Sequence, residues 1–242
     1  MANKNTRKKS VRKPCPVVDY VLPPGKALVL RTCKADMSSN AAEANGFKWP
    51  KSGPVKCDDW QPTRECGNGL HGLLWGEGSG NLLNWGNDAV WLVVEIDTAS
   101  AIDLDGKIKF PEAIVVHCGN RETAPKFISE HGGAGRAIVS GTATAGVRGT
   151  ATAGDSGTAT AGYSGTATAG YSGTATAGVR GTATAGYSGT AKSGEIGIIV
   201  CRWWDEPKNR YRLAVGYVGE DGIKPNTFYR ADTGGNLIEV TP

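Results

Sequence analysis

The sequence predicts a mainly β protein: a small α+β region, then a short flat β-solenoid, then an antiparallel β cap. Three observations carry that prediction. Seven octets run head to tail from Gly141 to Ile196, the first six opening Gly-Thr-Ala-Thr-Ala-Gly, and a fixed short period marks an array that stacks one unit on the next. Thr and Ala alternate strictly inside the octets, which is the two-residue period of a strand. Apolar runs flank the array on both sides, Ala137-Ile138-Val139 before it and Ile196 to Trp204 after it.

Alternation places Thr on one face of each strand and Ala on the other. Threonine is β-branched and favours strands, and glycine permits turns of positive φ at the corners. Burying Ala and exposing Thr leaves no hydroxyl in a dry interior. Two octets then close one coil of sixteen residues, and the 56-residue array makes about three and a half coils. A triangular coil of 24 residues and an intertwined trimer stay open on the sequence. A flexible Gly/Ser/Thr linker would not need Thr and Ala in fixed register.

Alternate octets share an edge. Val147-Arg148, Tyr163-Ser164, Val179-Arg180 and Glu195-Ile196 fall on one edge, and Asp155-Ser156, Tyr171-Ser172 and Tyr187-Ser188 on the other. With strands about 4.8 Å apart, Tyr171 and Tyr187 are expected to stack, and Arg148 and Arg180 to stand roughly 10 Å apart. These four side chains are the candidate binding groups of the array. An interior of Ala buries little apolar area, so larger neighbours must cap both ends.

The chain divides into a basic arm (1–14), the α+β region (15–132), the array (133–196) and the cap (197–242). In the α+β region Lys26 to Cys33 reads as a strand, Val90 to Ile96 as a central one because its apolar run is nearly continuous, and Ile114 to His117 as a third. A helix is expected near 123–130. Between the first two strands, Cys66 to Gly80 holds the densest glycine cluster. Gly67-Asn-Gly69-Leu-His-Gly72 matches a G-x-G-x-x-G phosphate loop in form, but no buried strand feeds it. His71, placed by this reading in a glycine-rich turn, is the candidate general base or anion ligand, with Trp75 and Glu77 beside it as candidate binding groups. In the cap, Ile198 to Trp204 and Arg210 to Val218 are expected to pair across 205–209, and a last hairpin turns at Gly234-Gly-Asn236.

The net charge of +4 is local: residues 1–13 carry six Lys and Arg and no acid. Such an arm attracts nucleic acid or anionic surfaces weakly. It has no apolar core of a secretory signal, and no stretch has the roughly 20 apolar residues that cross a bilayer. Cys15, Cys33, Cys57, Cys66, Cys118 and Cys201 are scattered without a Cys-x-x-Cys pair. Reduced thiols and a cytoplasmic location (host cytoplasm if phage-encoded) are therefore expected. Cys57, Cys66, His71, His117 and Cys118 match no standard zinc spacing, and no metal, cofactor or membrane partner is expected.

The segment Cys66-Gly-Asn-Gly-Leu-His71, the octets from Gly141, and Val218-Gly-Glu-Asp-Gly-Ile-Lys-Pro-Asn-Thr-Phe-Tyr229 together resemble an uncharacterised family of bacteriophage, prophage and bacterial proteins. That resemblance implies a phage-related origin and no particular activity. The Thr-x-Thr steps and recurrent Thr-Ala-Gly are similar to the coils of bacterial ice-nucleation proteins. This implies a regular outward hydroxyl lattice, although the repeats here are fewer and place Ala inside. In element order the stretch from Arg31 through the Gly-x-His turn to Glu95 is similar to ADP-ribosyltransferase-like folds, which would make Arg31, His71 and Glu95 the catalytic candidates.

The leading expectation is a non-enzymatic interaction or assembly protein that self-associates or binds a protein partner, with the solenoid as spacer. The alternatives are a small-molecule- or nucleotide-binding enzyme in the N-terminal region, as in phage counter-defence, and an ice-binding protein using the Thr faces.

Overall fold

The computed structural model describes residues 20–39 and 47–241; the basic arm and Cys15 lie outside these residues. The N-terminal region contains β1 (Lys26–Cys33), β2 (Gly53–Lys56), β3 (Leu70–Leu74), β4 (Val90–Asp97), β5 (Ile102–Asp103), β6 (Ile108–Phe110), β7 (Glu112–Gly119) and α1 (Thr123–Glu130). The strands form one seven-stranded sheet in the order β2-β7-β4-β1-β3-β6-β5, paired antiparallel throughout. Val29, Leu92, Val94 and Phe110 pack on one face with Trp49. Leu28, Leu30, Trp91 and Val93 pack on the other, against Ile128 of α1 and against Ile138 and Val139 of the segment that enters the array. Strand β4 is buried along nearly its whole length, as its continuous apolar run predicts for an interior strand.

The array is a two-sided solenoid. Strands β8 (Thr142–Ala145), β9 (Thr150–Ala153), β10 (Thr158–Ala161), β11 (Thr166–Ala169), β12 (Thr174–Ala177), β13 (Thr182–Ala185) and β14 (Thr190–Ser193) each take residues two to five of an octet. Even-numbered strands stack parallel in one sheet and odd-numbered strands in the other, in full register, so that Thr158 pairs with Thr174 and Ala167 with Ala183. The inner alanines from Ala151 to Ala191 are no more than 4% exposed. An eighth strand, β15 (Ile198–Asp205), pairs parallel with β13 and keeps the frame. Ile199 and Cys201 stand where Ala stood, and both are fully buried. The array therefore makes about four coils rather than three and a half, because β15 supplies the missing half-coil with larger side chains.

The corners correct one expectation about glycine. Each corner is a four-residue turn closed by a bond such as Gly165 N–H to the Gly162 carbonyl, 3.0 Å. The positive φ falls on the residue before that glycine, +52° at Ser164 and +59° at Arg180, as a type II turn requires of its third residue. Holding an L-residue there costs about 1–2 kcal/mol. In return its N–H faces the next coil, as Ser164 N–H donates to the Val179 carbonyl at 2.8 Å. Glycine serves close approach instead: a Cβ on Gly165 would lie 2.9 Å from the Ala161 Cβ and 2.9 Å from the Gly149 carbonyl oxygen.

The cap consists of β16 (Arg210–Tyr217), β17 (Tyr229–Ala231) and β18 (Leu237–Glu239). Strand β16 pairs antiparallel with β15 over eight residues, and β17 pairs with β14 through Tyr229 opposite Ala191. Tyr229 is 3% exposed and packs in the same cluster as Ala191, Ile199 and Cys201, so a large ring closes the C-terminal end of a layer one methyl thick. At the other end Ser140 N–H donates to the Asp155 carbonyl (2.8 Å) and Gly154 N–H to the Ile138 carbonyl (3.1 Å).

Gly165→Ala should destabilise the solenoid by about 1–3 kcal/mol, the usual cost of overpacking. Urea unfolding monitored by far-UV circular dichroism checks this, and an unchanged midpoint would contradict the close-approach role.

Candidate functional site

The catalytic candidates lie on three different strands. Arg31 is on β1, His71 on β3 and Glu95 on β4. His71 therefore sits in a strand and not in a glycine-rich turn: Leu70, His71 and Gly72 pair with Phe110, Lys109 and Ile108 of β6. Gly72 lets the sheet close, since a Cβ there would lie 2.4 Å from Val29 and 2.8 Å from the Leu30 carbonyl oxygen.

Each candidate has a separate environment. Arg31 is partly buried. It donates from Nη1 to the His71 carbonyl (2.5 Å) and from Nη2 to Ser39 Oγ, and it lies over the Trp49 ring at 4.5 Å. Burial pulls its pKa down to about 10. Glu95 is opposite Leu28 in the β1–β4 ladder, while Arg31 is opposite Leu92, so the two are three residues apart along the sheet, roughly 10 Å. Glu95 accepts a bond from the Tyr20 hydroxyl at 2.7 Å. The His71 Nε2 is buried without a hydrogen-bond partner among the described residues. Burial, together with the charges of Lys107, Arg31 and Lys109, lowers the His71 pKa to about 4, so the ring is neutral at pH 7. Arg31 meets the His71 main chain, and Glu95 meets neither.

Trp75 and Glu77 act together on the chain that leads into the solenoid. Glu77 accepts from Arg136 Nη1 (2.8 Å) and from the Ala137 N–H (3.2 Å), while the Arg136 guanidinium lies 4.9 Å from the Trp75 ring centre. Two further residues, neither given a role by the sequence reading, hold other parts in place. Lys109 is fully buried and ties down the loop before β3 by donating to Thr63 Oγ1 (3.3 Å), the Glu65 carbonyl (2.9 Å) and the Gly67 carbonyl (3.4 Å). Asp155 accepts from Gly80 N–H (3.0 Å) with one oxygen and from Tyr171 N–H (2.9 Å) with the other. It thus links the N-terminal sheet to the second coil. Its signal was present in the sequence: the other corner residues at that position in the first six octets are Val or Tyr.

Outside the solenoid the chemistry is ordered and repetitive. One face carries Thr142, Thr144, Thr158, Thr160, Thr174 and Thr176, and the opposite face carries Thr150, Thr152, Thr166, Thr168, Thr182 and Thr184. Each is a lattice about 7 Å by 4.8 Å. Along one edge Tyr171 stacks on Tyr187 (5.9 Å between ring centres), Tyr187 meets Tyr211 (5.8 Å) and Tyr211 meets Trp204 (4.8 Å). Arg202 lies 4.0 Å from the Tyr211 ring centre. A shallow groove of about 700 Å³ follows this edge, bounded by Asp155, Tyr171, Tyr187, Arg202 and Tyr211. Arg148 and Arg180 are exposed on the opposite edge, one on each side of Tyr163 along the stack, since Arg148 N–H reaches the Tyr163 carbonyl and Ser164 N–H the Val179 carbonyl. Among the described residues no cluster of His, Cys, Asp and Glu has the makings of a metal site.

A domain of unknown function, DUF7666, matches residues 27–130, under half of the chain. Bacterial ice nucleation proteins are also similar. InaU of Pantoea ananas is 44% identical over 108 residues, which is 44% of this chain and 10% of that protein. An ice nucleation protein of Pseudomonas syringae is 49% identical over 106 residues, 43% of this chain and 9% of the relative. One from Xanthomonas campestris pv. translucens is 43% identical over 106 residues, 43% and 6% of the two chains. The chain thus spans about a tenth or less of the length of these relatives. No solved structure matches it. The similarity to ice nucleation proteins overturns the cytoplasmic expectation. Scattered thiols and a basic N-terminus do not determine a compartment. No helix among the described residues is long and apolar enough to cross a membrane.

Two expectations follow. The depressed His71 pKa means that the unfolded chain binds more protons than the folded chain between about 4 and the ordinary 6.5. The stability it contributes is full above that window and falls as pH drops through it. His71→Gln should flatten the decline of melting temperature over that range; an unaltered slope would contradict a buried neutral ring. Asp155→Ala leaves the buried Gly80 N–H unpaired and should cost about 1–3 kcal/mol, read as earlier protease access to the 137–141 connection.

Proposed function

We propose that the chain is a non-enzymatic interaction and assembly protein, in which the solenoid spaces the N-terminal sheet from the C-terminal cap and presents repeated side chains on flat outer faces. One observation carries this reading. The cations Arg31 and Lys109 of the N-terminal sheet are engaged in bonds to its own strands and loops, while the regular, accessible chemistry lies on the solenoid: two Thr lattices and an aromatic edge. The phage or prophage origin implied by the terminal Val218–Tyr229 segment belongs to the same proposal. Self-association and protein binding suit such a surface because every coil repeats its neighbour.

The proposal is tested by deleting residues 158–173, one full coil. The shortened protein should stay soluble, with the N-terminal sheet and cap folded and the particle shorter by about 4.8 Å. Collapse of the whole chain into aggregate would rule out a spacer role. A nucleotide-dependent modification activity lost in His71→Ala but not in the coil deletion would turn the assignment to the N-terminal sheet.

A second reading is favoured by the similarity to ice nucleation proteins: the Thr lattices order water or bind ice. Three Thr rungs per face make a small surface, so the expected effect is weak thermal hysteresis. Replacing Thr166 and Thr168 with Tyr should remove the part due to the odd-strand face. No hysteresis or ice shaping in the parent protein would end this reading.

A further inference from the structure

The solenoid and cap leave one long strand edge open. The sheet containing the odd-numbered array strands ends at β16, in the order β16-β15-β13-β11-β9, and β16 is eight residues long. The other sheet ends are short or obstructed. Strand β2 has four residues and contains Pro54, β5 has two residues, and β18 has three. At the first coil, Ser140 and Gly154 bind across the end through main-chain bonds. Natural sheets protect long edges with proline, charge or brevity; β16 has no proline, and the one charge inside it, Arg212, is engaged by Asp205 of β15, which leaves Leu213 to Tyr217 without a charge.

Its outward side chains are apolar instead. Tyr211, Leu213, Val215 and Tyr217 are 43%, 62%, 49% and 52% exposed, and they lie beside Trp204, Arg202, Val200 and Ile198 of β15 on the same face. The charges at the two ends of the strand are opposite. Arg210 opens it, while Glu220 and Asp221 follow it in a turn fastened by Glu220 N–H to the Tyr217 carbonyl (3.0 Å) and Gly219 N–H to the Ile223 carbonyl (2.9 Å).

We propose that β16 pairs antiparallel with β16 of a second copy of this chain about a two-fold axis. An antiparallel edge is self-complementary under that symmetry. With Tyr211 opposite the second copy's Tyr217 and Leu213 opposite its Val215, apolar side chains meet apolar ones across the join. The same register sets Arg210 of each copy beside the Glu220–Asp221 turn of the other. Partners with a different edge would meet the apolar row but lack this reciprocal match of charge. Pairing would fuse two five-stranded sheets into one, with both odd-strand Thr lattices facing the same side. This inference rests on the self-association part of the proposed function and names the surface that performs it.

Native mass spectrometry and sedimentation of the full chain test it. The wild type should run at twice 25.2 kDa. Arg210→Glu, which makes both strand ends acidic, should raise the dimer dissociation constant about tenfold or more, as should the basic variant Glu220→Arg/Asp221→Arg. Mixing the two variants should restore dimers as mixed pairs. Leu213→Lys should also favour the monomer without lowering the melting temperature, since it places a charge on an exposed edge. A wild type that stays monomeric at its highest soluble concentration would overturn both this interface and the self-association reading. A wild-type dimer unaffected by any variant, with no preference for mixed pairs, would overturn the interface alone and leave self-association standing through another surface.

Discussion

Everything in the solenoid depends on an interior only one methyl group thick. Alanine side chains from two sheets meet back to back, so the sheets lie closer than the roughly 10 Å usual for packed sheets. Larger inward side chains enter only at the capped end, at Ser193, Ile199 and Cys201, and the corners must turn within very little space. Glycine at both ends of each strand follows from that closeness, as shown by the Cβ clash at Gly165 with Ala161 and with the Gly149 carbonyl. The closeness also fixes the register. A one-residue slip would drive Thr hydroxyls into the methyl layer and Ala out to solvent.

So thin a layer cannot terminate itself, and the two flanking regions answer this differently. At the C-terminal end the change is graded: β15 keeps the octet frame while Ile199 and Cys201 replace Ala, and Tyr229 then covers the opening. At the N-terminal end a separate core abuts the first coil through Ile138 and Val139. Polar ties then hold that core to the array. Asp155 spans the junction, and Arg136 is held between the Glu77 carboxylate and the Trp75 ring. The deviations from perfect repetition are therefore informative, since Asp155 interrupts the corner series where the sheet must be joined.

The distribution of polar chemistry follows the same division. In the N-terminal sheet, Lys109 is fully buried and Arg31 partly so, and both donate to carbonyl and hydroxyl oxygens. They fix loops to strands, and their hydrogen bonds offset part of the desolvation cost. On the solenoid the hydroxyls are outside, repeated, and backed by a sheet that holds their spacing. This contrast is the basis of the surface function proposed above.

Local period determined much of this protein from sequence alone. Two-residue alternation and an eight-residue repeat are properties of adjacent residues, so the coil, its Thr and Ala faces and the Tyr171–Tyr187 stack were legible. So were the continuous apolar run of β4, the helix over 123–130 and the cap hairpins. Strand β3 was not, because Gly67 to Gly72 resembles a loop until β1 and β6 pair with it from either side. The eighth array strand was hidden for a similar reason: its inward Ile199 and Cys201 break the composition while keeping the frame. Whether Arg31, His71 and Glu95 share a site was decided only by strand order and register, which set Glu95 three residues along the ladder from Arg31. The roles of Lys109, Asp155 and Arg136 likewise belong to tertiary structure. Their partners lie far away in sequence, and a hydrogen bond leaves no periodic trace in the chain.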